Sequence, residues 1–408
     1  MGYPTWILGL TAGLMATALG CGETLNEPDA ASGGAASSTS SQVGSGGSPA
    51  NGAGGQGTGA GGAVIGEPMC GTDEGAIVVA AAAGTGTVAI QSAGSWTKDI
   101  PVPGPPWRVA TYVDVYHQLA ALWIDPPGGR GDLHAHFMST FDGSSFESHD
   151  VFGWAPLPTA PVLSPGGPYL VGGVAGGTSV AYFDPDASDW HAAAGTIAFD
   201  ASSAALAPNG DLVLVGLGSS YELCEVSLVG FRWGAVHCHP EMPVATGGEI
   251  PVTRPAIVAL PDGDMVAIYY PSTTALAATT LHEGSWSVPV TTSSDAIGVS
   301  FAAAATPEGH VVAAVVSTAG DVSTIRYTRE AGWGTPFAVD QGGLVQQELS
   351  AATGICGDDV LVAYSMASTE VHVARVRGST SETISVASPA DVQPDRVSIA
   401  TRRSRYFP

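Results

Sequence analysis

From about residue 75 onward the chain is a succession of short apolar runs cut by turns that carry Gly, Pro, Asp or Asn. The stretch from 300 to 340 is representative. Residues 301–305 are small and apolar, Pro307-Glu308-Gly309 is a turn, and 310–317 is a second apolar run. An alternating run over 322–328 follows, and a last one over 333–339 opens on Trp333. Runs this short, alternating or unbroken and rich in Val, Ile and Thr, read as strands rather than helices. The same order recurs at 254–260, with the turn Pro261-Asp262-Gly263, and continues to Trp286. Turn residues at fixed offsets between such runs are the mark of successive hairpins.

The pattern is periodic. A turn followed by an aromatic residue appears as Gly94-Ser95-Trp96, Gly143-Ser144-Ser145-Phe146, Ser188-Asp189-Trp190, Phe231-Arg232-Trp233, Gly284-Ser285-Trp286 and Gly332-Trp333. A degraded copy stands at Gly378-Ser379-Thr380-Ser381. The interval is about 47 residues, the length of one four-stranded propeller blade. The chain therefore reads as all-β: a seven-bladed β-propeller of four-stranded antiparallel blades over residues 67–408. The first strand of several repeats is alanine-rich (Ala204-Ala205, Ala302 to Ala305, Ala351-Ala352), which fits the tapering space around a central channel. The recurrent aromatic is expected to open the outer strand and pack between blades.

The first repeat lacks an inner strand: 75–81, 87–92 and 96–102 align with the second, third and fourth strands of the others. One run is left over at the far end, 396–401, and it resembles inner strands such as 254–258. It is expected to complete the first blade, closing the ring and removing an exposed edge. Cys224 and Cys238 sit symmetrically about the hairpin before Trp233 and are expected to form a disulfide. Cys70 and Cys356 precede the second strands of blades 1 and 7, and are expected to bridge the seam.

The beginning of the chain has a different composition. Residues 6–19 are almost wholly apolar or small, too short to span a bilayer comfortably, and suit a signal-peptide core. Ala18-Leu19-Gly20-Cys21 resembles the bacterial lipobox, in which a small residue precedes a cysteine that is diacylated. The resemblance, to bacterial lipoproteins of the myxobacterial type, implies a signal peptide over 1–20 and lipid on Cys21. Gly22 after the cysteine implies the outer membrane, with secretion as the outcome if lipidation fails. Residues 21–66 are dominated by Gly, Ala and Ser, which cannot bury enough apolar surface to fold, and read as a disordered tether. About 45 flexible residues span roughly 35–40 Å.

Charge narrows the partners. Acids outnumber bases 37 to 13 and the net charge is −24. Such a chain repels phosphate backbones and anionic lipid surfaces, which excludes nucleic acid and leaves the lipid anchor as the expected membrane contact. The expected form is a monomer whose partner is a glycan or an envelope protein.

Candidate chemistry is sparse. Arg108, Arg254 and Arg396 fall at equivalent positions, at or near the start of inner strands in blades 2, 5 and 1. Clustered at a channel mouth, they form a candidate ligand-binding set for carboxylate or phosphate. The repeats resemble sialidase-type (BNR-like) propellers over roughly residues 70–402, carried by Ser188-Asp189-Trp190 and Gly284-Ser285-Trp286 in place of that family's Asp-box. The resemblance implies an arginine triad gripping a sugar carboxylate, but no tyrosine nucleophile with a glutamate partner is assignable. His134-Ala135-His136 and His237-Cys238-His239 each put two imidazoles on one strand face, although zinc needs three or four ligands. Both pairs read as surface histidines, with no metal, no cofactor and no catalytic residues expected. The sequence thus favours a surface-tethered, non-enzymatic recognition or scaffold lipoprotein, with a sialidase-like glycoside-acting enzyme as the alternative.

Overall fold

The computed structural model describes thirty-one strands and adjoining turns between residues 75 and 401. Residues 1–74 and 402–408 and several connecting loops lie outside the described residues. The signal peptide, Cys21, the tether, the Cys70–Cys356 bridge and Arg254 all fall in those stretches. Every strand belongs to one of seven antiparallel sheets, and among the described residues no helix is long and apolar enough to cross a membrane.

Six sheets are built from consecutive strands, with innermost members Arg108–Val113, Pro158–Ser164, Asp200–Leu206, Ala256–Ala259, Ser300–Ala305 and Val345–Thr353. The seventh joins distant parts of the chain. Ala76–Ala82 pairs on one side with Thr85–Ser92, and on the other with Arg396–Thr401, in the register Val78↔Ile399. The inner strands pack side by side in cyclic order, and Arg396–Thr401 lies between Val345–Thr353 and Arg108–Val113. The fold is a β-propeller, and the C-terminal strand supplies the innermost strand of blade 1.

The core is divided among the seams between blades. The second strands are apolar on both faces because each face meets a neighbouring blade. In Met265–Ser272, Met265, Ala267 and Tyr269 pack toward blade 4, with Val213, Val215 and Leu223. Val266, Ile268 and Tyr270 pack toward blade 6, with Val311, Ala313 and Val315. The recurrent tryptophans work the same seams. Trp233 Nε1 donates to the Gly195 carbonyl (3.1 Å), Trp333 Nε1 to the Val290 carbonyl (2.8 Å), and Trp286 Nε1 to Glu225. Each therefore locks its blade onto the one before it.

Near the axis a second device recurs. An inner strand has one edge without a strand partner, so its backbone N–H groups need another acceptor. Ser203 Oγ accepts from the Ile257 N–H (3.1 Å), Ser350 Oγ from Ile399 (3.1 Å) and Ser398 Oγ from Thr111 (3.0 Å). Each serine stands three residues before the end of its strand, and each donor two before the end of the next blade's strand. At the serine position blades 5 and 6 carry Ala256 and Ala302.

One expectation needs correction. The outer strands of blades 4, 5 and 6 are broken rather than continuous: Arg232–Trp233 and His237–Pro243, Ser285–Trp286 and Val290–Thr291, Gly332–Trp333 and Phe337–Asp340. In blades 5 and 6 the gap contains Pro289 and Pro336, which have no N–H to give the ladder. Cys224 and Cys238 are direct partners across two strands of blade 4 and form a disulfide.

Replacing Ser203, Ser350 or Ser398 by Ala leaves a backbone donor unsatisfied near the axis. Each substitution is expected to lower unfolding free energy by about 1 kcal/mol in chemical denaturation, whereas Ala302→Ser in blade 6 is expected not to destabilise.

Candidate functional site

The ends of each sheet differ. At one end lie the turns joining first to second and third to fourth strands; at the other lie the starts of the inner strands. Arg108 and Arg396 are the first residues of adjacent inner strands, which are joined where the Thr111 N–H donates to Ser398 Oγ. Arg254 is outside the described residues, so the three-arginine cluster has two of its three backbone positions placed.

The better-defined candidate is a groove of about 540 Å³ at the opposite end, between blades 5 and 6. Two turns of blade 5 build one wall. In the first, Leu260 to Asp264, the Gly263 N–H donates to the Leu260 carbonyl (3.0 Å), and Gly263 takes φ +95°, which glycine adopts without steric cost. The Asp264 N–H donates to Asp262 Oδ1 (3.2 Å), so both carboxylates are held in one tight turn. In the second, Glu283 and Gly284 both have positive φ (47° and 77°), the backbone of a two-residue hairpin. This turn sets His282 Nδ1 2.6 Å from Asp264 Oδ1.

Blade 6 supplies the other wall. Its third-to-fourth-strand turn has one residue more than those of blades 4, 5 and 7, because Thr328 pairs with Gly332. The longer turn carries Arg329, whose guanidinium bonds both Asp262 and Asp264 across the seam. Tyr327, almost fully buried against Trp333 (ring centroids 5.2 Å apart), belongs to the floor. Half-buried Trp286 lines the groove with Val288, which is 85% exposed. Ser285, Ser287 and Thr280 add hydroxyls.

At the repeat positions of Tyr327 and Arg329, blade 4 has Leu228 and Gly230, blade 5 Leu281 and Glu283, and blade 7 Val376 and Gly378. The arginine–dicarboxylate clamp is therefore individual to this seam among those four blades, whereas the tryptophans are shared. Reading the repeats column by column, for a positive charge that only one blade carries, would have found Arg329 in the sequence.

Electrostatics follow from the clamp. Burial works against the Arg329 charge and is its largest single influence, but Asp262 and Asp264 together outweigh it and hold its pKa above the ordinary value. The His282 pKa is raised, first by its hydrogen bond to Asp264 and then by that carboxylate's charge. Asp262, Asp264 and Glu283 outnumber Arg329, so the rim is net negative while His282 is neutral. Such a rim offers carboxylate acceptors and a fixed guanidinium fork to hydroxyl groups, and it repels anions.

No protein-family model matches the chain, and no curated protein matches it. Solved structures do. The BP39L lectin from Burkholderia pseudomallei superposes with TM-score 0.59 at 15% identity, covering 78% of this chain and 96% of its own. A candidate 6-phosphogluconolactonase from Bacteroides fragilis gives 0.54 at 12%, covering 81% and 99%. AofleA from Arthrobotrys oligospora gives 0.50 at 12%, covering 72% and 88%. At these identities the likeness establishes the fold.

The raised His282 pKa implies a defined pH response. The stabilisation that protonated His282 gains from Asp264 is complete at pH values below the unfolded-state pKa, and fades as pH rises through the folded-state pKa. NMR titration is expected to find the His282 imidazole above the usual range, and Asp264→Asn is expected to return it toward that range.

Proposed function

We propose that this chain is a non-enzymatic, glycan-recognising propeller, displayed at the cell envelope by lipid on Cys21 and a flexible tether. The observation that carries the recognition part is the groove between blades 5 and 6. There an arginine held by two carboxylates stands beside an imidazole, three hydroxyl side chains and apolar surface from Val288 and Trp286. Sugars present the same mixture, with hydroxyl groups that both donate and accept along their edges and apolar C–H faces between them. The net-negative rim favours neutral sugars over sialic acids and phosphosugars. A groove open along one side suits the end or flank of a chain, and a lectin among the structural neighbours agrees with this reading.

Glycan-array binding by purified protein tests it. Wild type is expected to bind neutral glycans. Arg329→Ala is expected to weaken them about tenfold or more, as loss of charge-assisted hydrogen bonds does. Val288→Asp, at an exposed position, is expected to weaken binding without lowering the melting temperature. A blank array would sink the proposal, as would binding indifferent to both substitutions. A fluorogenic sialoside turned over by the same preparation would restore the enzymatic alternative.

The address rests on the lipobox-like sequence before Cys21. Expressed in a bacterium, the full chain is expected to fractionate with membranes and to take up labelled palmitate. Cys21→Ser is expected to move it to the soluble envelope fraction without the label.

A further inference from the structure

The two strands joined by the disulfide in blade 4 hold a second cluster, far in sequence from the clamp's arginine. Glu225 and His237 are direct partners across Glu222–Val229 and His237–Pro243, and Leu223 and His239 are the next pair on that face. Opposed residues, and residues two apart on one strand, point the same way. Glu225, His237 and His239 therefore share the face turned toward blade 5, while Cys224 and Cys238 are bonded on the other.

Three details distinguish this arrangement from a chance surface pair. His239 Nε2 is shielded from solvent and has no hydrogen-bond partner. The carboxylate oxygen facing it, Glu225 Oε1, is 3.8 Å away, beyond hydrogen-bond reach. Two ligands on one tetrahedral zinc ion, each about 2.0–2.1 Å from it, sit about 3.4 Å apart, so a small closure brings both onto one ion. The remaining atoms are tied as outer supports of a metal site are. His239 Nδ1 is 3.2 Å from Glu241 Oε1, which fixes the tautomer that leaves the Nε2 lone pair free. Glu225 Oε2 accepts from Trp286 Nε1 of blade 5.

We infer that Glu225, His237 and His239 form a binding site for a divalent metal ion of the zinc class. Exposed His237 supplies the third ligand by rotating its side chain, and the fourth position is left to solvent. Imidazole and carboxylate donors with an open position are the ligand set zinc accepts. The disulfide one residue away on both strands fixes the backbone spacing between the donors. Among the described residues, Glu222, Cys224 and Cys238 already have their potential ligand atoms within 4.8 Å of one another, but both sulfurs of that group are committed to the disulfide. His372 supplies a natural contrast. It too has a shielded nitrogen without a hydrogen bond, 3.9 Å from Asp340, but the residues two away from it along the chain are Glu370 and Ala374, so no second imidazole stands beside it at that spacing.

The test is calorimetric titration of the oxidised, chelator-treated chain with zinc chloride, alongside thermal melts. One ion per chain and a rise in melting temperature are expected. His237→Ala and His239→Ala are expected to abolish both, Glu241→Gln to weaken binding roughly 10–100-fold, and His372→Ala to change neither. His237 is exposed and Glu241→Gln is nearly isosteric, so these two report even if loss of His239 unsettles the fold. Absence of binding by wild type, or undiminished binding by His237→Ala or Glu225→Gln, would overturn the inference.

Discussion

The innermost strand of every blade presents one edge to the axis, where no further strand can pair with it. The rest of the architecture depends on how that edge is satisfied. The C-terminal strand completes blade 1, and serine hydroxyls accept inner-strand N–H groups from one blade to the next at three seams. At the other radius, tryptophan Nε1 groups tie the outer strands of blades 4, 5 and 6 back to the preceding blade. Between these two belts the second strands need only be apolar on both faces, and they are.

With the ring so specified, the two clusters of distinct chemistry lie in the turns and the outer strands. Blade 6 differs by a single added turn residue, and that residue position lets Arg329 reach the carboxylates of blade 5. Blade 4 differs in its outer strand, where His237 and His239 stand in place of Val290 and Thr292 of blade 5 and Phe337 and Val339 of blade 6. Seams built to one plan thus differ in chemistry through a turn and an outer strand, while the second strands stay apolar on both faces.

Most of the fold was legible because each of its devices repeats. The spacing of Trp96, Trp233, Trp286 and Trp333 and the leftover strand at 396–401 each stand out against a periodic background. The breaks in the outer strands were less visible. Trp-Ser-Val-Pro and Trp-Gly-Thr-Pro carry their own signal in Pro289 and Pro336, but an aromatic followed by apolar residues reads as unbroken strand. The sites were legible only in part. Counting arginines at strand starts drew the eye to Arg108, Arg254 and Arg396, whereas Arg329 acquires meaning only when its cross-seam partners are known. His237 and His239 were evident as a pair, but Glu225 lies twelve residues before His237 and joins them through strand register, which spacing alone does not reveal.

The pairing of Ala76–Ala82 with Arg396–Thr401 also bears on how the molecule comes to be. A polypeptide emerging vectorially, whether from a ribosome or a membrane channel, exposes the opening strands of blade 1 long before their partner exists. Contacts so distant along a chain form late, since the entropy of closing the intervening loop opposes them. The middle blades can assemble into an open arc, but the arc stays unsealed, with an adhesive β-edge at each tip, until residues 396–401 arrive. The interval before closure is therefore when the unpaired edges of this fold are most open to association with other chains.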